Sequence, residues 1–258
     1  MEVEFYSCLE KGMLVACDKP SGISSFDVVK IIRTHFQDKV GHSGTLDPMA
    51  SGLMILGVGK GTKSLTALIG MDKSYETVID FSLLTDTRDA SFWEKEERFE
   101  VITEGGKQFL TKEWNLISAP ELSQILELLK SICYQEGKEV LLPLPTFSAK
   151  KQNGKRMYKD ARKWTAEIIN KAMKLYGFEV LDYSFPLLKL RCDVGSGTYI
   201  RSIGYRLGQQ LGLGGALIEL KRTSIGPRNL EDIWSQNTAQ GNIKGQMRVV
   251  PYKEVFLD

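Results

Sequence analysis

The stretch Gly41-His42-Ser43-Gly44-Thr45-Leu46-Asp47-Pro48-Met49-Ala50-Ser51-Gly52 constrains this chain more than any other. Three glycines and a proline within twelve residues exclude a continuous helix or strand and demand a shaped loop. Pro48 biases Asp47 away from the helical region and toward an extended backbone. Asp47 is thus a lone carboxylate on a backbone limited on both sides, the arrangement that presents one reactive group to a substrate. For an isolated Asp-Pro pair the simplest reading is an Asx turn that caps its own backbone. One of the chain's two histidines, His42, stands five residues upstream on the same loop.

The 258 residues suffice for one large domain or two small ones, and 42% hydrophobic with 26% charged residues are the proportions of a globular protein. No run of apolar residues is long enough to span a bilayer, and the N-terminus is acidic where a signal peptide is basic, so a cytoplasmic location is expected. Four cysteines without a C-x-x-C pair and two histidines cannot make the usual zinc or iron sets, so no metal and no cofactor are expected. A net charge of +2 does not by itself argue for nucleic acid.

In chain order, Met13–Cys17 reads as a buried strand, followed by turn residues at Asp18-Lys19-Pro20-Ser21-Gly22. Ser24 and Asp27 have capping-box spacing ahead of a helix carrying Val28, Ile31, Ile32 and Phe36 on one stripe. Thr62 to Ile69 reads as a short helix. Residues 74–84 alternate with Tyr75, Thr77, Ile79, Phe81 and Leu83 on one face, a strand leading into the polar turn Thr85–Ala90. The Glu-rich residues 91–117 read as a peripheral insertion or loop. Ser118 and Glu121 suggest a second capping box, with Pro120 in the first turn of a helix bearing Leu122, Ile125, Leu126, Leu129 and Ile132. Residues 165–176 fit a helix or a strand. Leu187–Val194 reads as a strand, Gly195–Ser202 as a glycine turn opening a helix to about Leu211, and Leu217–Ile225 as a last strand.

Between Lys150 and Lys163 seven Lys or Arg face a single acid, Asp160, with Tyr158 among them and Trp164 next. A solvated basic face is one reading. Basic charge interleaved with aromatics also suits an RNA backbone and unstacked bases.

The loop G-H-S-G-T-L-D-P resembles the catalytic loop of the tRNA pseudouridine synthases of the TruB type. D-K-P-S-G-I-S-S at 18–25, K-S-Y at 73–75, the F-S-A-x-K-x-x-G segment from Phe147 and G-T-Y-I-R at 197–201 resemble further motifs of that family, in the same order. The resemblance covers roughly residues 13–228. It implies an α+β fold with a mixed, largely antiparallel sheet flanked by helices, spanning residues 1–233. A basic RNA-gripping insertion is expected at about 143–164. Residues 234–258 are expected to be a short tail, too short for the small RNA-binding PUA domain that many relatives carry.

The resemblance also implies roles. Asp47 is the catalytic carboxylate, Arg201 its ionic partner, and Tyr75 the ring that stacks on the target base; a core tyrosine is the plainer alternative for Tyr75. His42 fills the gap left by a flipped base, against the plainer reading of a loop histidine bonded to backbone. Tyr199 lines the site and Leu220 packs near the uracil. Lys19 and Lys63 are phosphate or loop contacts, and Lys151 and Tyr158 grip the RNA. The expected reaction is isomerisation of one uridine to pseudouridine, at position 55 of the tRNA T loop, by a monomeric enzyme. That reaction moves no electrons and adds no atoms. It needs one carboxylate, where glycosidic hydrolysis normally needs a second to position water. Three roles for Asp47 stay open: attack at C1′, attack at C6, or stabilisation of a separated base. Two rival readings are a non-catalytic RNA-binding protein and a uridine-cleaving glycosidase.

Overall fold

The first buried strand, β1 (Met13–Lys19), runs two residues past the expected Cys17. Lys19 extends it by turning its ammonium onto the carbonyls of Pro20 and Ile23 instead of into solvent. The computed structural model describes residues 12–90, 96–104, 106–112, 115–136, 140–145, 151–152, 155–156, 169–232, 241–243 and 247–252. Helix α1 (Ser25–Phe36) begins at the expected capping box: the Asp27 amide donates to Ser24 Oγ at 3.1 Å and the Ser24 amide to Asp27 Oδ2 at 3.3 Å. It buries Val28, Ile32 and Phe36, three of the four stripe residues. Strands β2 (Val40–His42) and β3 (Ser51–Val58) pair antiparallel, and β1 pairs antiparallel with the other edge of β3. A 3-10 turn over Gly59–Ser64 leads into α2 (Leu65–Gly70), so the expected helix from Thr62 is split. The orphan carbonyls at its C-terminal end are taken by the buried Lys73 ammonium, which donates to Leu68, Ile69 and Met71.

Strand β4 (Lys73–Asp80) carries the expected alternation, with Tyr75, Thr77 and Ile79 buried. It stops before 84 because Asp80 Oδ1 accepts both the amide and the hydroxyl of Ser82, an Asx turn. β5 (Leu83–Thr85) resumes and pairs with β6 (Glu96–Arg98). The following residues correct the loop expectation for 91–117. They form an antiparallel meander of β7 (Glu100–Glu104), β8 (Lys107–Lys112) and β9 (Asn115–Ser118). Gly106 at φ +76° makes its first turn, and the Gly105-Gly106 hairpin signal was hidden in a Glu-rich context. Helix α3 (Leu122–Ser131) is capped by Glu121, whose amide donates to Gln124 Oε1 at 2.8 Å. The box is therefore Glu121/Gln124 rather than Ser118/Glu121, and Pro120 precedes the cap.

Strand β10 (Val140–Pro143) is followed by β11 (Lys151–Gln152) and β12 (Lys155–Arg156), which pair antiparallel with each other. Beyond them β13 (Asn170–Met173) pairs with β10. β14 (Leu175–Ser184) and β15 (Leu187–Val194) form a long hairpin. From Asn170 onward the segment left open between helix and strand is thus strand. Helix α4 (Ile200–Leu211) ends at Gly212, φ +70°. Its Gly204 and Gly208 lie directly against the backbone of Gly215 and Gly214, where a Cβ would collide. β16 (Ala216–Ile225), β17 (Arg228–Asn229), β18 (Gly241–Ile243) and β19 (Met247–Tyr252) complete the described chain.

The chain divides into two compact units, residues 1–75 with 221–258, and residues 76–220. β4 and β16 each run from one unit into the other. In the first unit the strand order is β16-β3-β1-β19-β18, antiparallel except for the parallel β16–β3 pair. Residues 241–243 and 247–252 of the expected tail therefore extend this sheet, β19 beside β1 and β18 beyond it. Its core gathers Leu14, Ala16, Leu53, Ile55, Leu65, Leu68, Ile225 and Leu230. Burying each leucine or isoleucine stabilises by roughly 1.5–3 kcal/mol. In the second unit the order is β14-β15-β4-β16. The expected α+β class with a mixed, largely antiparallel sheet holds. Among the described residues no helix is long and apolar enough to cross a membrane.

Candidate active site

Asp47 sits in the wide loop that joins β2 to β3, and both sides of its backbone are anchored. Before it, Ser25 Oγ at the start of α1 holds the Leu46 backbone twice, donating to the carbonyl at 2.8 Å and accepting from the amide at 2.8 Å. After it, the Pro48 carbonyl accepts from the Gly22 amide at 2.8 Å and from Lys19 Nζ at 3.2 Å. Ser21 Oγ donates to the Met49 carbonyl at 2.7 Å. The Ala50 amide closes a turn on the Asp47 carbonyl at 3.1 Å. The anchors on both sides come from the D-K-P-S-G-I-S-S segment, which explains why that segment and the loop go together.

Lys19 has no solvent exposure, and of its two expected uses the described contacts are with the loop backbone. Burial lowers its ammonium to about 8, a shift that the Asp47 carboxylate opposes. His42 is half-buried, and its Nδ1 accepts the Gly44 amide at 3.2 Å. Burial, reinforced by the Arg222 charge, lowers its pKa, so the ring is neutral at pH 7. The backbone-bonded reading of His42 is thereby present, and it leaves a flat, uncharged ring on the loop. Tyr75 is buried at the start of β4 and Lys63 is exposed in the 3-10 turn.

The base of the loop needs Gly52. Its φ is +104°, and a Cβ there would collide with the Arg222 carbonyl. We expect Gly52→Ala to cost about 2–4 kcal/mol in urea unfolding; an unchanged midpoint would show that β16 can move aside.

In the second unit Arg201, on the first turn of α4, is buried. Its Nη1 donates to the Thr87 carbonyl at 2.8 Å and lies 3.3 Å from Asp89 Oδ2. The turn supplying both partners is itself tied, Thr85 Oγ1 and Thr87 Oγ1 donating to the Asp89 carbonyl. Arg88 beside them adopts φ +63° and stacks its guanidinium on Tyr205 at 4.0 Å. Tyr199 is the half-buried N-cap of α4, with Lys171 Nζ 5.8 Å from its ring centre. Leu220 is buried near the end of the unit. Lys151 lies in β11, while Tyr158 and residues 157–168 lie outside the described residues.

Two participants were missed in the sequence. Asp89 was passed over as a turn residue, although T-D-T-R-D carries two carboxylates beside an arginine. Arg222 carries no signal of its own in the sequence, yet it is almost fully buried and donates to the carbonyls of Gly44 in the loop and Leu53 in β3.

Comparison with known proteins places this arrangement. Residues 30–200 match the family described as TruB family pseudouridylate synthase, N-terminal domain. The chain is 36% identical over 224 residues to the tRNA pseudouridine synthase B of Chloroherpeton thalassium, covering 83% of each chain. It is 34% identical over 247 residues to that of Chlorobium phaeovibrioides, covering 93% of this chain and 94% of the other. A solved Cbf5-Nop10-Gar1 complex contains a chain with the same fold, at TM-score 0.56 and 25% identity over 84% of this chain. The present chain spans about half that protein's length, 50%. Matched across the segment that carries the Asp47 loop and by relatives of nearly its own length, the chain belongs to the TruB family of pseudouridylate synthases.

Proposed function

We propose that this protein converts uridine to pseudouridine in tRNA, at position 55 of the T loop, with Asp47 as the catalytic carboxylate. The observation that carries the reading is the loop itself, in which one aspartate is fixed by hydrogen bonds to the residues immediately before and after it. Such fixing supplies the preorganisation that a single-carboxylate reaction requires.

In the reaction the bond from N1 to C1′ breaks, the base turns, and C5 bonds to C1′. N1 gains a proton and the C5 proton is lost to solvent, so no water is consumed. Asp47 stabilises the separated halves, as nucleophile or as counter-charge. Arg201 serves as its cationic partner in this reading. Five N–H donors allow one guanidinium to hold Asp89, the Thr87 carbonyl and a second carboxylate. Tyr75 offers a flat face to the uracil, with Tyr199 and Leu220 beside it. A base inside a folded T loop must be flipped out to reach Asp47. The neutral His42 ring is suited to take its place in the stack, since it can enter without a charge to desolvate. Lys63 and the segment from Lys150 to Lys163, with Lys151 and Tyr158, grip the RNA.

Transcripts labelled with tritium at uridine C5 test the activity. The isomerase releases tritium to water and no free base. Uracil release would instead favour a glycosidase, and neither product would favour a binding protein. For the basic segment, replacing Lys151, Lys155 and Arg156 with Ala is expected to weaken tRNA binding and to flatten the slope of affinity against salt by about two to three contacts. Unchanged affinity at every salt concentration would show a merely solvated face.

A further inference from the structure

We infer that Arg222 is a positioning residue for the Asp47 loop, acting as a side-chain substitute for a missing rung of the β2–β3 ladder. On the β2-facing edge of β3 every second residue needs a partner. Gly57 pairs with Gly41 of β2. Ile55 is served by Ser43, whose amide donates to the Ile55 carbonyl at 2.8 Å and whose Oγ accepts the Ile55 amide at 3.3 Å. After Ser43 the loop leaves the ladder, and the next rung falls at Leu53, which is fully buried. There the Arg222 guanidinium steps in: Nε donates to the Leu53 carbonyl at 2.7 Å and Nη2 reaches the Gly44 carbonyl at 3.3 Å. One rung further, β16 takes over with backbone, pairing Lys221 with Ser51 and Arg222 with Gly52. A single planar group thus ties the start of the loop that carries Asp47, at Gly44, to β3 just beyond the loop's other end, at Leu53. The guanidinium plane holds Nε and Nη2 in one fixed geometry, which sets the spacing of the two carbonyls in a way an ammonium on a flexible stem does not. The 1% exposure of Arg222 excludes a direct RNA contact.

This inference rests on the pseudouridine synthase reading, and wild-type tritium release in the same assay tests that reading separately. Arg222→Lys and Arg222→Met are compared with wild type for kcat, for tRNA affinity and for the His42 imidazole titration by NMR. We expect kcat to fall about 10-fold for Lys and at least about 100-fold for Met, because a misplaced catalytic group loses rate steeply. The tRNA Kd should stay within about twofold, because Arg222 touches no RNA. The His42 pKa should rise in the Met variant, since a nearby positive charge is removed. Folded variants with wild-type kcat, or with tRNA affinity and kcat lost together, would overturn the inference. If Arg222→Met does not fold, Arg222→Lys decides by the same criteria. Failure of both to fold would make Arg222 a purely structural residue and also overturn it.

Discussion

Asp47→Asn is expected to abolish pseudouridine formation while leaving the fold and tRNA binding in place. Asparagine has nearly the same size, and the anchors around position 47 are to backbone, so Ser25, Lys19 and Gly22 keep their partners. What disappears is the negative charge and the nucleophile. Loss of a key catalytic group in other enzymes costs about four orders of magnitude or more, and we expect a fall of at least about 10⁴ in kcat. Binding should persist or tighten slightly, since phosphate contacts supply much of the energy and one negative charge near the RNA is gone. The Lys19 ammonium, which Asp47 helps keep charged, should titrate lower still. Substantial pseudouridine formation by pure Asp47→Asn protein would remove Asp47 from the mechanism.

Arg201→Met is expected to cost stability and activity together, and a second substitution separates the two. Its partner Asp89 has a side chain only 6% exposed, at 3.3 Å. Deleting the cation leaves a carboxylate buried without that compensation, which costs about 3–5 kcal/mol. Adding Asp89→Asn removes the stranded charge and should restore most of the unfolding midpoint. It should not restore the rate, which we expect to stay at least about 100-fold low if Arg201 also serves Asp47. Recovery of tritium release in the double variant would make Arg201 a structural partner of Asp89 and nothing more.

The features that proved legible in the sequence are those whose chemistry is local. Ser24 and Asp27 cap a helix they themselves begin, and Gly44, Pro48 and Gly52 shape a loop within a few residues of themselves. The alternation of Tyr75, Thr77 and Ile79 records a strand directly. The features that were not legible depend on distant backbone. Lys19 meets the Pro48 carbonyl 29 residues away, and Arg222 meets Leu53 across 169. A carbonyl has no side-chain identity, so no residue pattern announces it as a partner. Asp89 was hidden for a related reason: a carboxylate in a polar turn looks like a cap until the helix bearing Arg201 is placed beside it. The β7-β8-β9 meander was obscured because a charged run, Glu94 to Glu100, leads into it and its own pattern is a short alternation around Gly105-Gly106.

The central claim is that this chain isomerises one uridine of the tRNA T loop. Carbodiimide mapping of an unmodified tRNA transcript, with and without the purified protein, tests it most directly. A single new reverse-transcription stop reporting pseudouridine at position 55, dependent on the protein and absent with Asp47→Asn, is the expected result. A transcript left without any new stop, or modified at some other position, would contradict it.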